Sequence, residues 1–185
     1  SLGSMNVLEL ARIKGARVLF TSTAEIYGDP HMSPQRESYT GNVDPIGPRS
    51  PYEEGKRFTE ALLVMYVRKY GLHAKIVRLF NTYGPGMSLE DKRVIPSFLR
   101  ALSRGETLTV YGDGSQTRTL LYIDDLLRGL SLVMQQGVPG EAYNVGGEKQ
   151  ISMKDLAMKV LSLNGHKSRL IFSPVSQSQR PGTEL

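Results

Sequence analysis

Short apolar segments alternate along this chain with segments of helical periodicity, and this alternation constrains the fold more than any other feature. The apolar segments 17–22 and 74–80 are short and bounded by turn residues, which is typical of buried parallel strands. Helices are predicted up to residue 14 and over 51–70, 94–104, 124–135 and 152–163, with further short strands over 108–111, 143–147 and 170–172. Strands separated by helices usually pair in parallel, so the sequence predicts an α/β protein.

Two of the predicted strands end in segments rich in polar residues. Residues 21–28 complete the first strand. Residues 80–85 complete the second, and a turn is predicted over 81–85. Ligands of open parallel sheets bind beyond the carboxyl ends of the strands. The stretch 28–51 is rich in Gly, Pro, Asn and Ser and forms a long loop, and such loops are usually functional. We therefore expect these strand ends and the helix after the loop to meet at one crevice.

The helix after the long loop carries Tyr52 and Lys56, which are four residues apart and therefore lie on one helical face. Ser50 is predicted to cap this helix, with Pro51 as its first residue. An ammonium group near a phenol favours the phenolate, a base able to take a proton from a sugar hydroxyl. Such pairs also arise by chance, so their sequence context decides how they are interpreted.

The composition excludes several classes of function. The chain has 185 residues, 39% of them hydrophobic and 22% charged, which is ordinary for a globular protein. It contains neither an apolar run of about 18 residues nor a secretory signal, so no membrane segment is predicted. The absence of cysteine excludes disulfides and fits a cytoplasmic location. His31, His73 and His166 lack the spacing of metal ligands, and no metal site is predicted.

The formal net charge of +5 comes from scattered basic residues and not from a basic tail. No nucleic-acid-binding motif accompanies the charge, so a nucleic-acid partner is not predicted. We expect some of the arginines to face an anionic ligand such as a diphosphate.

No Gly-x-Gly-x-x-Gly or Gly-x-x-Gly-x-x-Gly motif follows a strand near the start of the chain, which begins within a predicted helix. A dinucleotide-binding fold uses such a motif, in its first βαβ unit, to hold the pyrophosphate. We therefore expect the N-terminal dinucleotide unit to be missing and both ends to be cut from a longer protein.

Four sequence blocks, together with the Tyr-x-x-x-Lys helix, resemble those of a known family. They are Ser-Thr-Ala-Glu-Ile-Tyr-Gly-Asp-Pro at 22–30, Asn-Val-Asp-Pro-Ile-Gly-Pro-Arg at 42–49, Arg-Leu-Phe-Asn-Thr-Tyr-Gly-Pro at 78–85 and Leu-Thr-Val-Tyr-Gly-Asp-Gly-Ser-Gln-Thr-Arg at 108–118. Their order and spacing resemble the extended short-chain dehydrogenase/reductases that act on nucleotide sugars, and within them the UDP-glucuronate decarboxylases. The resemblance covers nearly the whole chain. It implies NAD as cofactor, UDP-glucuronate as substrate and UDP-xylose as product.

The resemblance implies catalytic roles for four residues. Tyr52 would remove the proton of the C4 hydroxyl while a hydride passes to NAD⁺, and Lys56 would hold the nicotinamide ribose and favour the phenolate. Thr23 would bridge Tyr52 and the sugar hydroxyl. The β-keto acid formed at C4 would then lose CO₂, with Glu25 ordering a water or assisting proton transfer at C5. The alternative for Glu25 is a structural carboxylate bonded to the loop.

The resemblance also implies a substrate-binding set. Asn81 and Arg118 would contact the diphosphate, Arg93 and Arg180 are weaker candidates for the same role, and Tyr111 would pack near uracil. Each has a simpler alternative. Asn81 could brace a turn, the two weaker arginines could be solvated, and Tyr111 could belong to the core.

Ala24, Glu25 and Gly86 bear on which reaction is catalysed. A 4,6-dehydratase has an acidic residue where Ala24 stands, and a 4-epimerase tends to have a neutral residue where Glu25 stands, so this pair favours decarboxylation. The decarboxylase family usually has Ser in place of Ala24 and Arg in place of Gly86, so the exact substrate stays open. Another nucleotide-sugar epimerase or dehydratase, or a non-catalytic nucleotide-sugar-binding fragment, are the alternatives. The isolated chain is expected to be inactive.

The resemblance predicts two portions and a dimer. Residues 1–85 would form the C-terminal half of a Rossmann-like, doubly wound domain with the catalytic helix. Residues 86–185 would form a smaller, mainly nucleotide-sugar-binding portion, some of whose segments return to the first domain. The family often dimerises through a bundle that includes the Tyr-x-x-x-Lys helix. The apolar residues Leu62, Leu63 and Tyr66 fit such a homodimer and fit core packing equally well.

Overall fold

The computed structural model describes residues 2–163, 165 and 168–174. Within it the chain divides into two compact units, each described by itself below. The first unit comprises Ser1–Phe80 and Asp124–Gly146, and the second comprises Asn81–Ile123 and Gly147–Leu185. The assignment of cofactor chemistry to one portion and sugar binding to the other stays a prediction.

Helices and strands alternate through much of the chain, as the sequence predicts. In chain order they are α1 (Leu2–Lys14), β1 (Val18–Thr23), α2 (Ser50–Tyr70), β2 (Ala74–Leu79), β3 (Thr82–Tyr83), α3 (Val94–Ser103), β4 (Leu108–Tyr111), β5 (Thr117–Thr119), β6 (Leu121–Tyr122), α4 (Ile123–Gln136), β7 (Ala142–Val145), β8 (Gln150–Ser152), α5 (Met153–Leu163) and β9 (Leu170–Ser173). A short 3-10 helix, Ala24–Tyr27, follows β1.

The predicted long helices and apolar strands are confirmed, with ends that differ by one or two residues from those expected. Three details differ. The predicted turn at 81–85 contains β3, which pairs in parallel with β6. Strands β5, β6 and β8 are absent from the sequence prediction. Helix α2 begins at Ser50 and has Arg49, without a side-chain cap, at its N-cap position, so the prediction of Ser50 as the cap is wrong.

The first unit contains a three-stranded sheet in the order β1-β2-β7, and its strands are all parallel. Thr23 at the end of β1 is level with Leu79 at the end of β2, which is level with Val145 at the end of β7. The carboxyl ends of the three strands therefore meet at one edge. This is the edge at which parallel sheets bind ligands.

Helices α1 and α2 bury apolar side chains at helical spacing against this sheet. Residues three apart lie on one face of a helix, as Leu8 and Ala11 do on α1 and Leu63 and Tyr66 on α2. The strand β2 contributes the buried Ile76 to the same cluster. Leu63 and Tyr66 are thus core residues, which is one of the two interpretations that the sequence left open.

The middle strand β2 also buries a charged residue. Lys75 is 1% exposed, and its Nζ donates a hydrogen bond of 2.7 Å to the carbonyl oxygen of Met134. Met134 lies in the last turn of α4, where backbone carbonyls have no partner within the helix. A buried lysine is costly unless it is hydrogen-bonded, and here it satisfies an end of the helix that favours positive charge.

The second unit has an apolar core around β4, which pairs in parallel with β9. Leu108 and Val110 of β4 pack with Phe98 of α3 and with the buried face of α5. Ser152 caps α5: its Oγ accepts a hydrogen bond of 3.0 Å from the backbone N–H of Asp155 and donates to that carboxylate at 2.6 Å. The predicted cap is confirmed. Across the described ranges, no helix is both long and apolar enough to cross a membrane.

Candidate active site

Lys56 joins the start of α2 to the end of β1. Its Nζ donates a hydrogen bond of 2.8 Å to the carbonyl oxygen of Thr21, and lies 5.0 Å from the ring centre of Phe20. The same Nζ is 5.8 Å from the ring centre of Tyr52, whose side chain is 48% exposed. The expected proximity of ammonium and phenol is therefore present. The phenol is accessible to a substrate, and the ammonium is held by the strand end.

Thr23 lies at the carboxyl end of β1 and is nearly buried. Its Oγ1 accepts a hydrogen bond of 3.3 Å from the backbone N–H of Glu25 and so caps the 3-10 helix. A hydroxyl that accepts one hydrogen bond still has its own hydrogen to donate. The local turn thus orients this hydroxyl and leaves its donor function for a ligand.

Arg49 connects the 3-10 helix with the first turn of α2. Its guanidinium forms an ion pair with Glu25, and its Nε lies 3.7 Å from Oε1 of Glu53. Burial raises the pKa of the Glu53 carboxyl, while the charge of Arg49 opposes that rise and the charges of Glu25 and Asp29 add to it. Arg49 enters the sequence prediction only within the block at 42–49, although its spacing of four from Glu53 indicates such a contact.

The long loop is tied to α2 and to itself. Nη1 of Arg57 donates hydrogen bonds of 2.9 and 2.7 Å to the carbonyl oxygens of Ile26 and Thr40. Gly28 has a φ of +60°, and a Cβ there would lie 2.1 Å from the carbonyl oxygen of Asn42. Only glycine fits this close approach of two backbone segments. The loop therefore has a defined path past the end of β1.

A buried ion pair lies directly below the strand ends. Arg78 of β2 donates to both carboxylate oxygens of Glu60 on α2, at 3.1 and 2.7 Å. Ser22 of β1 donates to the same carboxylate at 2.5 Å. Burial alone would lower the pKa of the Arg78 guanidinium, but the hydrogen bonds and charge of Glu60 outweigh burial, and the pKa lies above its usual value. The pair links two strands and α2.

The same arginine extends this network into the loop. Nη1 of Arg78 donates to the hydroxyl of Tyr27 at 2.8 Å, and that hydroxyl donates to Oδ1 of Asn144 on β7 at 2.8 Å. The backbone N–H of Asn144 donates to the carboxylate of Glu37 at 2.9 Å. All three strands of the sheet and the long loop are therefore joined by polar contacts. This network is not predicted from the sequence, because its members are up to 117 residues apart.

In the second unit, a shallow depression is lined by two of the predicted substrate-binding residues, Asn81 and Arg93. The exposed Asn81 uses its backbone oxygen to accept a hydrogen bond of 2.8 Å from Leu121. Arg93 forms an ion pair of 2.6 Å with Asp91, and hydrogen bonds from Arg93 lower the pKa of that carboxyl. Asn81 thus also braces the short β3–β6 ladder.

Tyr111 and Arg118 lie on β4 and β5 of the same unit. Tyr111 is 45% exposed, so the alternative of a core residue is wrong. The guanidinium of Arg118 donates a hydrogen bond of 2.8 Å to the carbonyl oxygen of Thr117. Arg180 lies outside the described residues. The substrate-binding roles of all these residues stay predictions.

No group of three His, Asp or Glu side chains suited to a metal ion occurs in the part of the chain that the structure describes.

A parallel sheet with a Tyr-x-x-x-Lys helix at the end of its first strand defines an α/β protein of the short-chain dehydrogenase/reductase class. Residues 1–146 match the model of the NAD dependent epimerase/dehydratase family. The chain belongs to this family, whose cofactor is NAD.

Comparisons with individual proteins agree with this assignment. The chain is 47% identical over 162 residues to UDP-glucuronic acid decarboxylase 6 of Arabidopsis thaliana, covering 88% of this chain and 47% of that protein. It is 41% identical over 177 residues to UDP-glucuronic acid decarboxylase 1 of Danio rerio, covering 96% and 42%. Among solved structures, the dTDP-glucose 4,6-dehydratase DesIV of Streptomyces venezuelae, with NAD and TYD bound, is 31% identical. That match has a TM-score of 0.81 and covers 97% of this chain and 54% of the dehydratase chain.

The chain spans about half the length of the curated relatives that it matches. The fold that these similarities share is the expected Rossmann-like α/β fold, which is confirmed.

The described residues fit one end of NAD. Lys56 and Tyr52 present an ammonium and a phenol at the strand-end edge, and both groups can bind the hydroxyls of a ribose. The glycine motif that holds a pyrophosphate does not occur between a strand and a helix in this sequence. That this ribose is the one attached to nicotinamide stays a prediction.

Proposed function

We propose that this chain is part of a longer NAD-dependent enzyme that decarboxylates UDP-glucuronate to UDP-xylose. The observation that carries the proposal is the arrangement at the end of β1, where Lys56 is held beside Tyr52. Thr23 and Glu25 follow on the same strand end, and the non-acidic Ala24 separates them. The names of the two decarboxylase relatives support the same reaction.

In this proposal Tyr52 takes the proton of the C4 hydroxyl and returns it at the end of the cycle. Lys56 stabilises the phenolate by its charge, since an ammonium near a phenol favours the ionised form. Thr23 donates its hydroxyl hydrogen to orient the reacting oxygen. When bound, NAD supplies the hydride acceptor at C4 and returns the hydride in the last step.

Oxidation at C4 makes the sugar a β-keto acid. The bond from C5 to the carboxyl carbon breaks, CO₂ leaves, and the electron pair is held as an enolate. Glu25 then assists the delivery of a proton to C5. The overall reaction consumes one proton and releases one CO₂, and it needs no external oxidant because the hydride is returned.

We assign nucleotide-sugar binding to residues of the second unit. Asn81 and Arg93 line one depression there, Arg118 and the exposed ring of Tyr111 lie on short strands, and Arg180 completes the set. Guanidinium groups bind diphosphates bidentately, and an exposed aromatic ring can pack against a base.

The test is to incubate the full-length protein with UDP-glucuronate and NAD⁺ and to measure CO₂ and UDP-xylose. We expect both in equal amounts. Tyr52→Phe should lower turnover by about 10²- to 10⁴-fold with little change in substrate affinity, because it removes the acid–base group. Tyr70→Phe, at the other end of α2, is the matched control. Release of the 4-epimer without CO₂ would refute the decarboxylase proposal. So would inactivity on UDP-glucuronate combined with conversion of a nucleotide-linked glucose to a 4-keto-6-deoxy sugar.

The isolated chain is proposed to be inactive and to bind NAD very weakly, because the sequence lacks the pyrophosphate motif. Titration calorimetry checks this directly, and a micromolar dissociation constant would contradict it. If the full-length protein bound a nucleotide sugar without converting it, the non-catalytic binding function would replace the enzymatic one.

We further propose that the full-length protein is a cytoplasmic homodimer that uses α1 and α2. The support is a set of exposed apolar side chains on these helices: Leu2, Met5, Val7, Leu10, Ile13, Phe58 and Met65. Light scattering after size exclusion should give twice the chain mass for the full-length protein. Leu10→Glu should convert the dimer to a monomer, whereas Leu132→Glu on α4 should not. A Leu10→Glu protein that remains dimeric would exclude this surface.

The cytoplasmic location is checked separately by cell fractionation.

A further inference from the structure

Glu25 is the candidate acid–base group at C5, and its orientation depends on a partner. It lies in the single-turn 3-10 helix after β1, and its side chain is 38% exposed. A half-exposed glutamate samples several rotamers, and fixing it has an entropic cost. The guanidinium of Arg49, which is itself 21% exposed, forms an ion pair with it. The carboxylate therefore has a defined position before any substrate binds.

Arg49 is itself well fixed. Its carbonyl oxygen accepts hydrogen bonds of 3.0 and 3.1 Å from the backbone N–H groups of Tyr52 and Glu53, so it forms the N-terminal cap of α2. Its Nε also faces the Glu53 carboxylate, which is 11% exposed. The backbone that holds Arg49 thus also begins the helical turn that carries Tyr52. One residue sets the position of the carboxylate relative to the phenol.

We propose that Arg49 is a positioning residue that holds Glu25 at a fixed place relative to Tyr52 and thereby supports the proton delivery to C5. The inference rests on the proposed decarboxylase function and adds a residue to it. Because the ion pair acts on the chemistry and not on substrate binding, its loss should lower kcat and leave KM nearly unchanged.

The experiment is a double-variant cycle in the full-length protein, with Arg49→Gln, Glu25→Gln and the combined variant assayed for CO₂ release. We expect Arg49→Gln alone to lower kcat by about 10- to 100-fold, the effect of a small misplacement of a reacting group. In the Glu25→Gln background the same change should lower kcat by less than about twofold, since its partner is already gone. Arg49→Lys, which keeps the charge, should recover part of the activity.

Two kinetic results would overturn the inference: a kcat of Arg49→Gln within twofold of the unmodified protein, or an equal loss in both backgrounds. The second would mean that Arg49 acts independently of Glu25. Arg68→Ala, an exposed arginine near the other end of α2, is the matched control for charge removal. If Arg49→Gln does not fold, Arg49→Met, which also removes the charge, takes its place in the cycle with the same criteria.

A readout without activity separates this inference from the proposed function. If the unmodified protein releases no CO₂, the decarboxylase proposal fails. The ion pair is then tested by measuring the denaturation midpoints of the single and combined variants of this chain. The denaturation midpoint of the combined variant should equal that of the more destabilised single variant. Additive shifts would show that Arg49 does not act through Glu25.

Discussion

The two units bury different kinds of side chain. The first buries polar and charged residues beside its sheet, whereas the fully buried core among the described residues of the second is apolar. The buried polar set is Ser22, Thr23, Glu53, Thr59, Glu60 and Lys75. Polar groups are costly to bury and are retained where paired. In the first unit, the burial of polar groups costs free energy of folding, and their hydrogen bonds fix the strand ends relative to α2. The second unit is stabilised by apolar packing.

The largest effect is expected when one partner of the buried ion pair in the first unit is removed. Arg78→Met should lower the free energy of unfolding of the first unit by about 3–5 kcal/mol, because it leaves the Glu60 carboxylate buried and unpaired. Amide hydrogen exchange of β1 and β2 measures this. The double variant Arg78→Met with Glu60→Leu should be less destabilised than the single one. A single-variant cost below about 1 kcal/mol would contradict the comparison.

The second unit should respond to loss of volume instead. Leu108 is fully buried in the cluster around β4, so Leu108→Ala should cost about 2–5 kcal/mol by leaving a cavity. Amide hydrogen exchange of β4 and α5 measures this loss of stability. Leu163→Ala, on the exposed end of α5, is the control and should be near neutral. An equal effect of both changes would show that packing does not hold this unit.

A smaller effect is expected at the cap of α5. Ser152→Ala removes the acceptor for the N–H of Asp155 and should cost about 1 kcal/mol. Ser152→Thr keeps a hydroxyl that can accept from this N–H and donate to the Asp155 carboxylate, so it should restore most of that loss. Thermal unfolding of both variants checks the prediction, which fails if Ala and Thr behave alike.

The smallest effect concerns pH in the first unit. Burial raises the pKa of Glu53 above its usual 4.5, so the folded state binds this proton more tightly than the unfolded state. The contribution of Glu53 to the free energy of unfolding is therefore lowest when the pH lies above the pKa of the folded state. This contribution increases as the pH falls through that pKa toward 4.5. Relative to the unmodified chain, Glu53→Gln should gain stability as the pH rises from 4.5 to 7. Denaturant unfolding at several pH values measures this difference, and a difference independent of pH would refute it.

Local sequence patterns were enough for much of the fold and for part of the candidate site. Helix α2 follows from helical periodicity, and strands β1 and β2 follow from short apolar runs bounded by turn residues. The spacing of Tyr52 and Lys56 places both on one face of the helix. Strands of two or three residues such as β3 and β5 have no periodicity of their own. They exist because a distant partner pairs with them, which a local pattern does not contain.

The buried network escaped prediction for a related reason. In the sequence, Glu60 resembles an ordinary solvent-exposed residue of a helix, and Arg78 enters the prediction only as the first residue of the block at 78–85. Their burial depends on the parallel pairing of β1 with β2, which brings Ser22 level with Arg78. The register of two strands is set by the whole sheet and not by a local sequence pattern. Ion pairs and hydrogen bonds that depend on this register can therefore be identified only from the structure.

Lys75 has a practical consequence. Because its amine is enclosed within the first unit and engaged with the end of α4, reagents that acylate amines should leave it unmodified while the sheet is closed. Each modification at this position would record one opening event. Mass spectrometry of a labelling time course would then give the rate of acylation at Lys75, and this rate reports how often the sheet opens.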